Sequence, residues 1–224
     1  MERYSIYKFI HKGLRAALSS ALVELGKVND RNRKESDAVL DGVHNVLRLC
    51  SLHLKHENNF IHAALARIGH PGPLQSEQDH EHHVSHIRTL ENKVKQVRNS
   101  YAENDFFVLY IEFSLFVAEN FYHMHHEETD VNRLLWHYYS DEEIVAIELA
   151  ILQSLTEEES FEFTMLILEF ICQSERLSML RSMKVAMPAE RFRSLVVALK
   201  DFVSEQAWIQ LVDEVGLKPE LKAI

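Results

Sequence analysis

Residues 74–187 contain neither glycine nor proline. A stretch of that length without a helix breaker, rich in Leu, Glu, Ala, Met and Lys, is committed to α-helix. The six glycines and four prolines of the 224-residue chain gather elsewhere, most densely in Gly69-His70-Pro71-Gly72-Pro73. That cluster predicts a sharp break between long helices. No segment sustains the polar–apolar alternation with β-branched residues that marks a half-buried strand. The chain reads as all-α.

Apolar residues recurring at steps of three and four divide the first 139 residues into four long helices. The first spans about 4–28, with the stripe Tyr7, His11, Leu14, Leu18, Leu22 and Leu25. The polar turn Asn29-Asp30-Arg31-Asn32 follows. The second spans 36–68, capped by Ser36, with Val39, Val43, Val46, Cys50, His53, Glu57, Phe60 and Ala64 on its stripe. The third spans 76–98, along Ile87, Leu90, Val94 and Val97. The fourth spans 103–138, along Leu109, Phe113, Phe116, Asn120, His123, Glu127, Val131 and Leu134. Four long helices with short connections describe an up-down-up-down bundle over residues 1–139.

Ser140-Asp141-Glu142-Glu143 has the form of a helix start. Further helices are expected over 141–153, 157–171, 175–185 and 189–213. Residues 140–224 then form a C-terminal helical extension. Its apolar residues, among them Phe192, Leu195, Leu199, Phe202 and Trp208, need a surface to bury against. The expectation is that the extension packs on the bundle.

Composition narrows the partners. Hydrophobic residues are 46% of the chain, enough for a sizeable core, and the net charge is −10. An acidic chain does not suit nucleic acid or an anionic membrane surface as its main partner. Glu112 interrupts the most apolar stretch, at 106–118, so no transmembrane helix is expected. Cys50 and Cys172 make neither a disulfide framework nor a zinc motif, and the first residues lack the layout of a signal peptide. These features lead to the expectation of a cytoplasmic protein.

The abnormal number is 14 histidines, all between His11 and His137. Each long helix carries histidine on its apolar stripe. On the second helix the steps Val46, Cys50, His53, Glu57 place His53 and Glu57 inward, one turn apart. On the fourth, Phe116, Asn120, His123, Glu127 do the same for His123 and Glu127. Extending Ile87 and Leu90 backward reaches His83 and then His80, and His11 lies between Tyr7 and Leu14. Five histidines and two carboxylates thus converge on one interior. Buried carboxylates are costly without a cation, and buried imidazoles need partners; a metal answers both needs. Imidazole with carboxylate favours first-row transition metals. Seven ligands exceed one tetrahedral site and suit two octahedral irons bridged by carboxylates.

The other histidines read differently. His44, His62, His70 and His137 are expected at the surface or boundary. His56, His82, His125 and His126 lie off the stripes and are expected to face solvent or support the ligands. His86 borders its stripe and stays open.

The motifs Ile-His11-Lys, His53-Leu-Lys-His-Glu57, Asp-His80-Glu-His-His83 and His123-Met-His-His-Glu127 resemble those of the hemerythrin-like (HHE cation-binding) family over roughly residues 4–139. The resemblance implies a four-helix bundle holding a non-haem di-iron centre. His11, His53, His80, His83 and His123 would be terminal ligands, and Glu57 and Glu127 would bridge. Oxygen-carrying members space the third-helix histidines four apart, as His82 and His86 are here, which leaves that pair as an alternative to His80 and His83. They also place Asp five residues after the fourth-helix histidine, the spacing of His125 and Asp130. The resemblance implies binding of O2 or NO, or sensing and storage of iron or redox state. Two alternatives are a di-iron enzyme that reduces peroxide or NO, and an iron-switched interaction protein.

Overall fold

The structure is a computed structural model that describes residues 3–69 and 73–217, with side chains described outside 73–78. The described residues are helical, with no strand among them. The helices are α1 (Lys8–Lys27), α2 (Arg33–His56), α3 (Ala63–Arg67), α4 (Pro73–Ser100), α5 (Glu103–His126) and α6 (Asn132–Tyr138). They continue with α7 (Asp141–Ser154), α8 (Glu157–Phe170), α9 (Gln173–Ala186), α10 (Ala189–Ala198) and α11 (Glu205–Glu214). A π-helical segment, Glu57–His62, joins α2 to α3, and a second, Glu127–Val131, joins α5 to α6. No described helix is long and apolar enough to cross a membrane.

Two compact units share the chain, one up to Ser154 and one from Leu155. In the first, α1 packs on α2 and α5, and α4 packs on α2 and α5, so the long helices enclose a common interior. Leu14, Leu18, Leu40, Val43, Leu47, Leu90, Leu109, Phe113 and Phe116 fill it, each 2% exposed or less. At Gly26 a Cβ would lie 2.9 Å from the Tyr110 ring, so glycine permits the close approach of α1 to α5. Gly69 takes a left-handed φ of 68° after α3, a conformation that glycine adopts without strain. His70, Pro71 and Gly72 of the expected break lie outside the described residues, and α4 begins at Pro73.

Most expected helix limits agree within a few residues, and the exceptions have local causes. The second helix begins at Arg33 because Asn32, not Ser36, caps it, accepting from the Glu35 amide. Ser36 is buried inside the first turn and donates to the Asn29 carbonyl. The helix expected over 189–213 is broken between Asp201 and Glu205, where Ser204 caps α11 by accepting from the Ala207 amide.

The π segments shift the buried stripes. A π turn holds one more residue than an α turn. After Glu57 the buried positions include Ile61, Ala64 and Leu65; of the two that α-spacing selected, Ala64 is buried but Phe60 is only half-buried, its place taken by Ile61. After Glu127 they are Val131 and Leu135, where α-spacing selected Leu134.

Helix α7 belongs to the first unit, beyond the expected division at 139. Ile144 is fully buried in a cluster with Ile6, Tyr7, Ile61, Leu65, Val131 and Leu135. This cluster closes one end of the interior around Glu57 and Glu127. Ile144→Ala is expected to destabilise the protein by about 2–5 kcal/mol through the cavity it leaves, as measured by urea unfolding.

In the second unit Phe192, Val196, Leu199, Leu180, Leu168, Trp208 and Val212 form the core. The buried Arg176 guanidinium donates to the carbonyls of Leu168, Glu169 and Ile171, closing the C-terminal end of α8.

Candidate metal centre

His53 and Glu57 sit one turn apart at the junction of α2 with its π segment, and His123 and Glu127 occupy the same position at the end of α5. Glu57 and Glu127 are 1% and 0% exposed, and His11, His80, His83 and His123 are at most 5% exposed. Among the described residues, two overlapping groups in this interior could hold a metal ion. One is His11, His53, Glu57 and Glu127; the other is Glu57, His80, His123 and Glu127. Six of the seven expected residues are brought together in this way. The seventh, His83, adjoins them, its ring centroid 4.8 Å from that of His123.

Each carboxylate divides its oxygens between the two groups. Glu57 Oε1 lies 3.0 Å from His53 Nε2 and 3.8 Å from His11 Nε2, while its Oε2 lies 3.7 Å from His80 Nε2. Glu127 Oε2 lies 3.5 Å from His11 Nε2, while its Oε1 lies 3.7 Å from His80 Nε2 and 3.4 Å from His123 Nε2. None of the four oxygens receives an aligned hydrogen bond, despite these short separations. Two buried carboxylates without aligned donors are what a protein avoids unless a cation serves them.

The imidazoles are oriented for the same task. His11 Nδ1 pairs with Glu128 Oε1 at 3.0 Å, His80 Nδ1 with Asn58 Oδ1 at 2.8 Å, and His83 Nδ1 with the Asp79 carbonyl at 2.7 Å. Each of these partners accepts, so Nδ1 carries the proton and Nε2 is directed elsewhere. A metal-ligating histidine is held this way, its other nitrogen donating to a carboxylate or carbonyl. His11 Nε2 and His53 Nε2 meet at 3.1 Å, and His80 Nε2 and His123 Nε2 at 3.0 Å. Two ligands about 2.1 Å from one ion stand about 3.0 Å apart at a right angle and about 3.4 Å apart at the tetrahedral angle. The observed separations match the right angle.

Protonation follows the fields in this interior. Burial pushes the Glu57 carboxyl up, but His53, His11 and His80 outweigh it and hold it well below the usual carboxylate range. Glu127 is raised by burial and by Glu57, yet His123 and His80 bring it below its ordinary value. Burial lowers His11, but Glu128, Glu57 and Glu127 lift it to about 9. His123 is raised, burial being overcome by Glu127 and Glu57. Without metal, the cluster therefore holds protons where cations would sit. Burial and the Glu57 charge push the Cys50 thiol up to about 12, so it stays protonated.

Several participants were not legible as such in the sequence. Glu128 accepts from His11 and forms a bidentate pair with Arg15, at 2.5 and 2.9 Å. Tyr7 is fully buried, stacks on His11 at 4.9 Å, and has no partner for its hydroxyl. His62, expected near the surface, is 3% exposed and stacks on His80 at 4.7 Å. The π turn carries it inward, and burial with the neighbouring His80 lowers its pKa. His56 is also buried, facing Ser154 of α7. His44, His82, His125 and His137 are exposed, as expected. The alternative pair His82 and His86 faces Glu119 and belongs to neither buried group.

Because Glu128 orients a ligand rather than supplying one, Glu128→Ala is expected to weaken metal binding by about 10–100-fold. Glu128→Gln, which keeps an acceptor for His11 Nδ1–H, should retain most of the affinity; competition with a chelator measures both.

An all-helical chain with these buried His/Glu groups fits a hemerythrin-like bundle. Comparison of the chain with protein-family models, with curated proteins and with solved structures gave no match.

Proposed function

We propose that the first unit is a hemerythrin-like, up-down-up-down four-helix bundle whose interior holds two non-haem iron ions, and that this centre binds a diatomic ligand, O2 or NO. The observation that carries the reading is the division of Glu57 and Glu127, each offering one oxygen to either histidine group. In this reading His11 and His53 hold one ion and His80 and His123 the other. Glu57 and Glu127 would serve both ions, and His83 would join the second set through its buried, unpartnered Nε2. Iron suits an imidazole–carboxylate donor set with right-angle separations and no thiolate. When bound, the iron pair supplies an open coordination position and exchangeable electrons to a small ligand.

The chain's own residues keep the interior fit for that role. Glu128, Asn58 and the Asp79 carbonyl hold three imidazoles in the ligating tautomer. Phe113, Phe116, Ile61, Val131 and Leu135 exclude water. Tyr7 stays protonated, burial and then Glu127 and Glu57 raising its pKa well above normal, so it presents a neutral O–H beside His11. A site whose Tyr7 hydroxyl stays neutral and whose Glu128 is held by Arg15 supports binding more than turnover.

The decisive measurement is elemental analysis with an optical spectrum, before and after air exposure, of protein made in iron-supplemented medium. About two irons per chain and near-ultraviolet absorption that changes with oxygen are expected. One zinc per chain, or no metal with intact helices, would overturn the proposal. Sustained consumption of peroxide or NO above a metal-free control would move the reading to an enzyme.

Proton release provides a further check. His11 titrates near 9 without metal, so it is protonated at pH 7, and a metal must displace that proton. Metal uptake at pH 7 is expected to release at least about one proton per chain, detected with an indicator dye. Because bound protons compete with metal below the raised pKa, affinity should rise as pH increases from 6 toward 9.

A further inference from the structure

A second cluster of donors lies outside the buried interior. His82 and His86 stand one turn apart on α4, and Glu119 faces them from α5. His86 Nδ1 lies 2.9 Å and His82 Nε2 3.6 Å from the same oxygen, Glu119 Oε2. Among the described residues this is a third group whose donor atoms all lie within 4.8 Å of one another. It shares no residue with the two buried groups. Two histidines at i and i+4 present their rings on one helix face, a spacing that chelates a metal ion. His86 is fixed by its edge-on contact with Phe116, ring centroids 5.4 Å apart, which limits the ordering cost on one ligand.

The surroundings favour a cation. The cluster borders an open cleft of about 600 Å³ lined also by Asp79, His83, Tyr122 and His126. Among the described residues that line it there is no lysine or arginine, and the whole chain carries a net charge of −10. A cleft lined by carboxylate and imidazole on an acidic protein concentrates cations. His82 is exposed, so an ion bound here would keep water in its remaining positions.

We infer that His82, His86 and Glu119 form a separate, solvent-facing site for a divalent first-row transition ion, held by two imidazoles and one carboxylate. Such an ion would sit on the cleft whose wall includes His83 and His123. The site uses none of the residues assigned to the buried centre, so it stands whether or not that centre holds iron.

Titration of the full-length protein, as purified with its resident metal, with Zn²⁺ in a calorimeter tests the inference. Histidine NMR resonances should be followed in parallel. The expected result is about one equivalent of binding beyond the resident metal, with shifts at His82 and His86 and none at the exposed His44 and His137. Glu119→Gln should weaken that equivalent by about tenfold or more, and His82→Ala should do the same, with resident metal content unchanged. Both variants change exposed or half-exposed side chains, so they should fold, which circular dichroism verifies. No extra equivalent in the wild-type protein, or one that survives both variants undiminished, would overturn the inference. Loss of the resident metal alone bears on the buried centre, because the surface equivalent would still be expected.

Discussion

Glu127→Ala is expected to take bound iron from two per chain to at most one, with loss of the near-ultraviolet absorption of a bridged pair. Its Oε2 faces His11 and its Oε1 faces His80 and His123, so the substitution removes an oxygen from both donor groups. Removing one residue that only orients a ligand costs about 10–100-fold in affinity, and removing a shared ligand should cost more than about 100-fold. The fold should survive, because no aligned hydrogen bond to the Glu127 carboxylate is lost. Glu57→Ala should behave in the same way, its oxygens being divided between the same groups. His53→Ala touches one group alone and should leave metal in the other. Elemental analysis with far-ultraviolet circular dichroism separates these outcomes. Two irons retained in Glu127→Ala would show that the carboxylate is not shared.

The second large effect separates two neighbouring histidines. His123→Ala is expected to lose the iron of the His80 group and the optical bands of the bridged pair, while His125→Ala keeps both irons and the bands. The His123 Nε2 lies 3.0 Å from His80 Nε2 in the buried interior, whereas His125, two residues further on, is exposed. Residues two apart on a helix do not share a face. His125→Ala should shift stability by no more than about 0.5 kcal/mol. Both irons retained in His123→Ala and iron lost in His125→Ala would mean that α5 is turned by about half a revolution, and the Glu127 assignment would fall with it.

Why the site was so readable, and where it was not, follows from helix periodicity. Up to Glu57 and Glu127 the chain is regular α-helix, so steps of three and four report the inward face faithfully. His11, His53, Glu57, His80, His123 and Glu127 all lie no later than the first residue of a π segment or on a helix without one, and the structure brings all six together. Past each π turn the phase moves by a residue. Phe60 and Leu134 then give way to Ile61 and Leu135, and His62 turns inward against His80. A composition of ordinary helix formers carries no mark of an i→i+5 turn, so sequence spacing alone missed both.

Local chemistry in the sequence determined the helical class, most helix limits and the inward face of each long helix. These depend on breakers, caps and spacing within a single segment. Only the tertiary structure decided which oxygen of Glu57 and Glu127 faces which histidines, and that Glu128 and Asn58 hold the far nitrogens of His11 and His80. It likewise decided that α7 closes the site's end through Ile144. Apart from the i,i+4 pairs, those contacts join residues on different helices, 22 positions apart for Asn58 and His80 and 117 for His11 and Glu128. They depend on how one helix is rotated and raised against its neighbour, a degree of freedom that periodicity along a single chain segment does not encode.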